Sequence, residues 1–399
     1  MKEVVIAGYL RSAQSRSNPG KPEKDVFGNL RADDILARVV PQLLKGINVA
    51  PDGLDDFIVG SAMGVTEQWT FGGRTPVFLS NLNESVPAKF IDQQCGSGMA
   101  AVHTGFMEIA TGFADCVLAA GMEHMTRVPM GPALFDKGVL SLNPALSEDE
   151  KYDCWDMPVI MNMGLTAEKL YESAGFTRKE LDEWSVRSHQ RATEALKKGF
   201  FKGEILPIEA RQADGSMLTV DRDMNIRENA SLKALSELKP VFRENGVITP
   251  GNASPLNAGA AAMVLMSREK AEKMGIKPLA RIRSIGFAGV DPTVMGHGPV
   301  PATRKALEKC GLAASDVDIW EVNEAFAVVT LNFIREMGID PEKVNIKGGA
   351  VALGHALGMT GIRITGTLGR ILESENAAVG CANACVGGGQ GTAVIIERV

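Results

Sequence analysis

The 399-residue chain has no excess of positive charge: 42 Lys and Arg stand against 48 Asp and Glu, a formal net charge of −6. Without a global basic field, nucleic acid and acidic membrane surfaces are poor partners, and any polyanionic ligand has to be met by local Lys and Arg. No uninterrupted apolar run is long enough to span a bilayer. The opening M-K-E-V-V-I-A-G, Met1 to Gly8, lacks the apolar stretch and small-residue cleavage site of a secretory signal and runs straight into a strand, so a cytoplasmic location is expected. Cysteine is sparse. Six residues, Cys95, Cys116, Cys154, Cys310, Cys381 and Cys385, are scattered along a core-rich chain, which argues against a disulfide framework and makes most of them small buried hydrophobes. Cys381 and Cys385 form C-x3-C with no second Cys/His pair nearby, so a metal site is not expected.

What is present is the composition of a well-folded globule, 45% hydrophobic and 23% charged, long enough for two or three domains. The chain also repeats itself. A strand at Val4–Ala7, a helical pattern over Ala32–Leu44 stopped near Gly46 and a strand at Phe57–Val59 come first. Thr303–Cys310 is again helical, Gly311 stops it, and Val317–Glu321 reads as a strand. More telling, C-G-S-G-M at Cys95–Met99 parallels H-A-L-G-M at His355–Met359, 260 positions on (355 − 95). Each precedes a helical stretch and then an apolar strand, Cys116–Ala120 in one copy and Ala377–Ala382 in the other. A pseudo-two-fold relating the copies would put Cys95 and His355 at equivalent helix N-termini and bring them together. Met122 to Gly251 has no counterpart in the second half. With turn signals at Pro129, Pro132 and Asn143-Pro144 and a strong helix over Arg178–Lys198, it reads as a mostly helical insertion. Ala258–Met266 then resumes the core as a buried strand.

Three residues stand out for chemistry. Cys95, in D-Q-Q-C-G-S-G, sits just before a helix, where free N–H groups and the positive helix end lower a thiol's pKa and glycines admit a substrate carbonyl. The alternative is an inert buried cysteine. His355, one of only five histidines, is the one embedded in a glycine-rich strand-to-helix turn; a core or capping histidine is the competing reading. Gly354, Gly358 and Gly361 do not make G-x-G-x-x-G, which disfavours a dinucleotide site. Cys385 opens C-V-G-G-G-Q-G after an apolar strand. No Walker lysine is present, and a thiol beside donor-rich backbone suits proton transfer near an oxyanion site. Asn323, in E-V-N-E-A-F-A, could fix a water or a carbonyl, or simply cap a helix.

Taken in order, D-Q-Q-C-G-S-G-M, G-M-E-H-M, G-N-A-S, N-E-A-F-A, A-L-G-H-x-L-G-x-T-G-x-R and C-V-G-G-G-Q-G make the whole chain resemble the thiolases. The resemblance implies a duplicated α/β fold, a five-layered αβαβα core with an inserted, mostly helical loop domain. The halves would be residues 1–121 plus 252–275 and 276–399, with the insertion at 122–251. It implies thiolysis of a 3-ketoacyl-CoA, with coenzyme A as co-substrate and no permanently bound cofactor, or the reverse condensation to acetoacetyl-CoA. By the same match Cys95 is the acylated nucleophile, His355 its base and Cys385 the acid/base for the acetyl-CoA carbanion. The N–H groups of Cys95 and Gly387 would form one oxyanion site, and His355 with a water on Asn323 the other. Arg227 and Ser254 match CoA-contacting positions, and Met163 matches an acyl-pocket position. A homodimer or homotetramer is implied, and so is a possible hydratase/dehydrogenase partner of β-oxidation. A decarboxylating ketosynthase is disfavoured because Cys385 stands where those enzymes carry a second histidine, and a non-catalytic acyl-CoA-binding relative is disfavoured by the intact trio. Ala356 replaces the usual Pro after the histidine, which implies a less rigid turn; Asn162, Pro255, Ala258 and His297 are further departures that bear on acyl-chain preference.

Overall fold

The computed structural model describes residues 1–128, 135 and 138–399; the turn signals at Pro129 and Pro132 lie outside them. Long runs of small apolar residues form the central strands. Of these, β4 (Cys116–His124) and β5 (Asn257–Ser267) are buried at every position, as expected of strands covered on both faces. The others are β1 (Val4–Ser12), β2 (Asp56–Gly60), β3 (Ala88–Ile91), β6 (Ala280–Gly289), β7 (Ile319–Val322), β8 (Val379–Val386) and β9 (Gln390–Glu397). Among the described residues they belong to one 11-stranded sheet, in the order β7-β8-β9-β6-β1-β5-β4-β2-β3, with Ser15–Arg16 beside β5 and Ile205–Leu206 beside β1.

The duplication is visible in the pairing. On one side β2 pairs parallel with both β3 and β4, and β4 and β1 flank β5 antiparallel. On the other side β7 pairs parallel with β8, and β8 and β6 flank β9 antiparallel. The place of β3 is taken by a single parallel bridge between Trp320 and Val344. The halves join edge to edge through β1 and β6. Even a detail of the strand entrances recurs. The Asp55 carboxylate accepts the N–H groups of Asp115 (2.7 Å) and Cys116 (2.9 Å), and Asp318, 263 positions on (318 − 55), accepts those of Ala378 (2.9 Å) and Val379 (3.0 Å).

Period-two alternation divides each half-sheet between two cores. Leu118 and Ala120 face an outer layer built on α1 (Ala32–Gly46), whose Ile35, Leu36, Val39 and Leu43 form its apolar stripe. Val117 and Ala119 face the middle layer together with Ala382 and Ala384 of the other half. Cys381 and Ile395 face the opposite outer layer. The other long helices, in chain order, are α2 (Ser97–Thr111), α3 (Met163–Ala174), α4 (Arg178–Lys197), α5 (Pro299–Cys310), α6 (Ala327–Met337) and α7 (Leu357–Ser374). Among the described residues only α2 and α7 occupy the middle, and α7, touched by strands of both halves, is buried nearly all round. This is the five-layered arrangement. The central helices cross at bare backbone: a Cβ on Gly98 would collide with the Gly358 carbonyl, and one on Gly361 with the backbone of Met99. That crossing sets the N-termini of α2 and α7 side by side.

Between β4 and β5 the insertion carries α3, α4 and a two-stranded hairpin, Ile208–Arg211 with Met217–Val220. Helix α4 begins on a capping box, Thr177 with Glu180. Its Trp184 Nε1 and Ser188 hydroxyl donate to the buried Glu324 carboxylate (2.7 and 2.6 Å), which also accepts the Val351 N–H (3.0 Å) and so anchors the insertion beside Asn323.

Candidate active site

Cys95 lies in the single turn Gln94–Gly96 that leads into α2. The turn is sharp: Gln94 has φ of 47°, in the left-handed region where a non-glycine residue is strained. It is held by its own neighbours. Asp92 accepts the Gln94 N–H (3.0 Å), while the Ser97 hydroxyl accepts from Gln93 (2.9 Å) and donates to the Gln94 carbonyl (2.7 Å). The turn aims Cys95 inward, 7% exposed, against Ala62, Met125 and Leu357, the last lying two residues past His355. Burial pushes the thiol up to about 11, although the backbone N–H groups of Gly387 and of Cys95 itself work in the opposite direction. The expectation of a lowered thiol pKa is therefore corrected: desolvation of the thiolate outweighs the two donors and the helix end. Those two N–H groups nonetheless act on the sulfur in the sense that favours the thiolate.

His355 follows a short helix, Ala350–Leu353, so its turn joins helix to helix and not strand to helix. Burial, reinforced by the Arg363 cation, holds the imidazole down at about 3, so it is neutral. Its tautomer follows from counting protons. The single Thr360 hydroxyl hydrogen goes to the Ala356 carbonyl (2.9 Å), so Thr360 Oγ1, 2.6 Å from His355 Nδ1, has to accept from Nδ1–H. Nε2 keeps its lone pair, facing Asn323 Nδ2 at 3.3 Å. Asn323 is thus no helix cap: α6 starts at Ala327, and the Asn323 amide, fully buried, turns to the histidine while its Oδ1 has no partner among the described residues.

Cys385, on β8 opposite Gly391, is fully buried. Burial drives its thiol far up, and the neighbouring Cys95 sulfur adds to the shift. Two neutral thiols and a neutral imidazole make a set in which each thiol has a proton to give and the imidazole can take one. Gly387 follows directly. A Cβ there would sit 3.3 Å from Met163 Sδ and 3.6 Å from Gln94 Cβ, so the N-terminus of α3 closes on the Cys95 turn. The half-buried Ser254 donates its N–H to the Ala325 carbonyl (2.8 Å), and Ala253 bridges to Phe326, so both border the Asn323 segment.

These arrangements match known proteins over the full length. A model of the thiolase N-terminal domain matches residues 11–269, and one of the thiolase C-terminal domain matches 276–398. The chain belongs to the thiolase family. Two curated relatives, each called 3-ketoacyl-CoA thiolase, come from Marinobacter nauticus and Vibrio vulnificus. They are 39% and 41% identical, covering 100% of this chain and 99% and 100% of their own. Among solved structures, human mitochondrial 3-ketoacyl-CoA thiolase in complex with CoA is 33% identical with a TM-score of 0.87, over 100% of this chain and 98% of that one. Bacillus anthracis acetyl-CoA acetyltransferase is 34% identical at a TM-score of 0.87, over 100% and 99%.

As a thiolase the protein is an acyltransferase, and its expected site residues fall into two groups. The structure brings Cys95, Cys385, Gly387, Met163, His355 and Asn323 around the start of α2 and α7. It does not bring in Arg227, which is exposed on the insertion with its N–H on His189 Nδ1 (3.2 Å), or His297, which sits against Asn332 (3.3 Å) on α6. Asn162 caps α3, accepting the N–H groups of Gly164 (3.1 Å) and Leu165 (3.2 Å). Ala258, on β5, is fully buried. Sequence reading missed Thr360, Gln14 and Asn257, which hold the histidine's turn, and Glu123. Glu123 lies within G-M-E-H-M and Thr360 within A-L-G-H-x-L-G-x-T-G-x-R. The Glu123 carboxylate accepts the N–H groups of Ala62 (2.9 Å) and Gly358 (3.0 Å), tying the wall beside Cys95 to the start of α7. Burial raises it to about 6.

Proposed function

We propose that this thiolase cleaves 3-ketoacyl-CoA with free CoA, releasing acetyl-CoA and a shortened acyl-CoA, as a degradative enzyme of fatty-acid β-oxidation. The observation that carries the reading is the crossing of α2 and α7 at Gly98 and Gly358, which sets the Cys95 turn, closed by Gly387 and neighboured by the Cys385 thiol, beside the His355 turn. His355 Nε2 takes the Cys95 proton, and the thiolate attacks the C3 ketone carbon. The two N–H groups receive the alkoxide oxygen. The C2–C3 bond then breaks: C3 stays on Cys95 as a thioester, and the electron pair leaves as the enolate of acetyl-CoA. His355, now carrying the proton, and a water on Asn323 stabilise that enolate, and Cys385 gives its proton to C2. Cys385 recovers a proton from the incoming CoA thiol, whose thiolate attacks the acyl carbon; Cys95 leaves as a thiolate and takes its proton back from His355, which closes the cycle.

Arg227 and Ser254 are assigned to CoA and Met163 to the acyl chain by their places in the thiolase motifs, and CoA itself as a ligand is supported by the CoA complex of the human relative. We assign residues 1–121 with 252–275 and 276–399 to the two halves and 122–251 to the insertion. No helix among the described residues is long and apolar enough to cross a membrane, and a cytoplasmic homodimer or homotetramer, alone or with a β-oxidation partner enzyme, is the assembly we propose. The likeness to an acetyl-CoA acetyltransferase keeps the condensing direction in play, since the same groups serve both ways.

The decisive experiment mixes acetoacetyl-CoA and CoA and follows loss of enolate absorbance, then repeats with 3-ketoacyl-CoAs of rising length and branching. Cys385→Ala should still acylate at Cys95, visible by intact mass, with turnover lowered about 10³-fold or more. Rapid turnover by that variant sinks the role of Cys385, and no activity at any chain length with CoA still bound sinks the enzyme reading.

A further inference from the structure

The turn that carries His355 is buried, and its backbone polar groups have to find partners inside the protein. They find a glutamine from the far end of the chain. Gln14 Nε2 donates to the carbonyls of Leu353 (3.1 Å) and Gly354 (3.0 Å), and Gln14 Oε1 accepts the N–H of Ala356 (2.9 Å). His355's own N–H goes to Asn257 Oδ1 (2.7 Å). Both hydrogens and one lone pair of the Gln14 amide are therefore used on the two sides of the histidine, so the amide cannot flip without breaking three bonds. Gln14 is itself pinned: it is 1% exposed, its N–H donates to Asp223 Oδ1 (2.8 Å), and its carbonyl accepts from Met224 (2.9 Å). Ala356 is fully buried at the N-cap of α7, outside the helix's own bonding, so Gln14 satisfies an N–H that would otherwise stand alone.

From this geometry we propose that Gln14 is a positioning residue for His355: its amide clamps the Leu353–Ala356 turn and so fixes the direction of the imidazole. This rests on the proposed role of His355 as base. The flexibility that Ala356 would bring is taken up by this clamp. The clamp also makes a specific prediction about proline. Ala356 has φ of −70° and ψ of 107°, which a pyrrolidine ring accepts, and proline carries no N–H. Proline at 356 therefore removes the group that requires Gln14.

The test is a double-mutant cycle of Gln14→Met, Ala356→Pro and the double variant, reading kcat and KM for thiolysis of acetoacetyl-CoA and, separately, Tm. Gln14→Met keeps the side-chain length and removes the amide. It should lower kcat about 30-fold with KM within about twofold, and lower Tm by about 4–8 °C, as an unpartnered buried N–H, the Gly354 carbonyl and a Leu353 carbonyl left with the long bond from Asn225 Nδ2 (3.5 Å) imply. Ala356→Pro alone should lower kcat about 10-fold or more, because the ring Cδ points where the N–H did, at Gln14 Oε1 2.9 Å from the nitrogen. In the Gln14→Met background the same proline should raise kcat, bringing the double variant to within about fivefold of the parent. If Gln14→Met folds poorly while the double variant folds and turns over, the clamp is equally supported. A double variant no better than Gln14→Met in folded yield or in kcat overturns it, as does a Gln14→Met enzyme of undiminished kcat, whatever its Tm. His355→Ala separates the two ideas: parent-like turnover by that variant removes the base role, whereas an inactive His355→Ala beside a fast Gln14→Met removes only the clamp.

Discussion

The starts of α2 and α7 occupy equivalent places in the duplicated fold and are supported in opposite ways. The Cys95 turn is held by residues within a few positions of it, Asp92 and Ser97, and by a strained Gln94. The His355 turn is held from a distance, by Gln14 and by Asn257, 98 positions away, with only Thr360 close in sequence. Short-range support forms whenever the turn forms; long-range support exists only once both halves have docked. The bend of the nucleophile's turn is therefore set within one half, although Gly387 and Leu357 of the other half close on its sulfur, whereas the bend of the base's turn is itself a property of the assembled pair.

The largest difference should appear when each support is removed. Asn257→Ala leaves the His355 N–H without a partner and takes the side-chain donor from the Ser15 carbonyl in a fully buried site, and should cost about 2–4 kcal/mol of stability and lower kcat about 10–100-fold. Asp92 is exposed, and Asp92→Ala should cost about 0.5–1 kcal/mol and leave kcat within about threefold, because Ser97 still closes the turn. Denaturant unfolding and steady-state kinetics on both variants check this. Equal effects would erase the distinction between the two turns.

The same contrast explains what could be read from the residues. Cys95 declares itself because its support is local and written as D-Q-Q-C-G-S-G, a stretch that dictates a sharp turn into a helix. The spacing of the two G-M motifs then reveals the pseudo-two-fold and hence the pairing of α2 with α7. The rest of the His355 site is distributed. Nothing in A-Q-S says that Gln14 reaches across the molecule, and Asn323 looks like a helix cap until α6 is found to begin four residues later. Protonation was misread for a related reason. A helix start visible in sequence argues for a lowered thiol pKa, while the opposing term, burial by Ala62, Met125 and Leu357, comes from three separate segments.

Protonation gives a second, smaller test. His355 is held at about 3 in the fold against 6.5 for a free imidazole, so between these values the unfolded chain binds the extra proton. Stability contributed by neutral His355 is therefore present above pH 6.5 and is lost as the pH falls towards 3. His355→Asn should flatten the fall of Tm with acid in that window, but only in part, because burial also holds His103 and His189 down at about 4. Scans of Tm against pH for parent and variant decide it. An unchanged acid slope would mean that the imidazole is not buried in neutral form. Cys95 shows the converse at alkaline pH. Its thiol stays protonated up to about 11, so alkylation of Cys95 by iodoacetamide should keep rising beyond the ordinary thiol range instead of reaching a plateau near 9.

The smallest effect belongs where the halves remain alike. Asp55 and Asp318 each hold two successive N–H groups at the entrance of the neighbouring strand, β4 or β8, at nearly the same distances. Neither carboxylate touches the Cys95 cluster, so their loss should report architecture alone. Asp55→Ala and Asp318→Ala are each expected to cost about 1–2 kcal/mol, to agree within about 0.5 kcal/mol, and to leave kcat and KM at the parent values. Asp55 also lies 3.9 Å from Lys270, half-exposed, a contact worth about 0.2–1 kcal/mol at most, so any inequality should favour the larger loss at Asp55 and should shrink in high salt. If Asp318→Ala instead proved the costlier by a wide margin, the two strand entrances would differ in energy despite their shared geometry, and the divergence between the halves would reach beyond the chemistry at the helix starts into the framework that carries it.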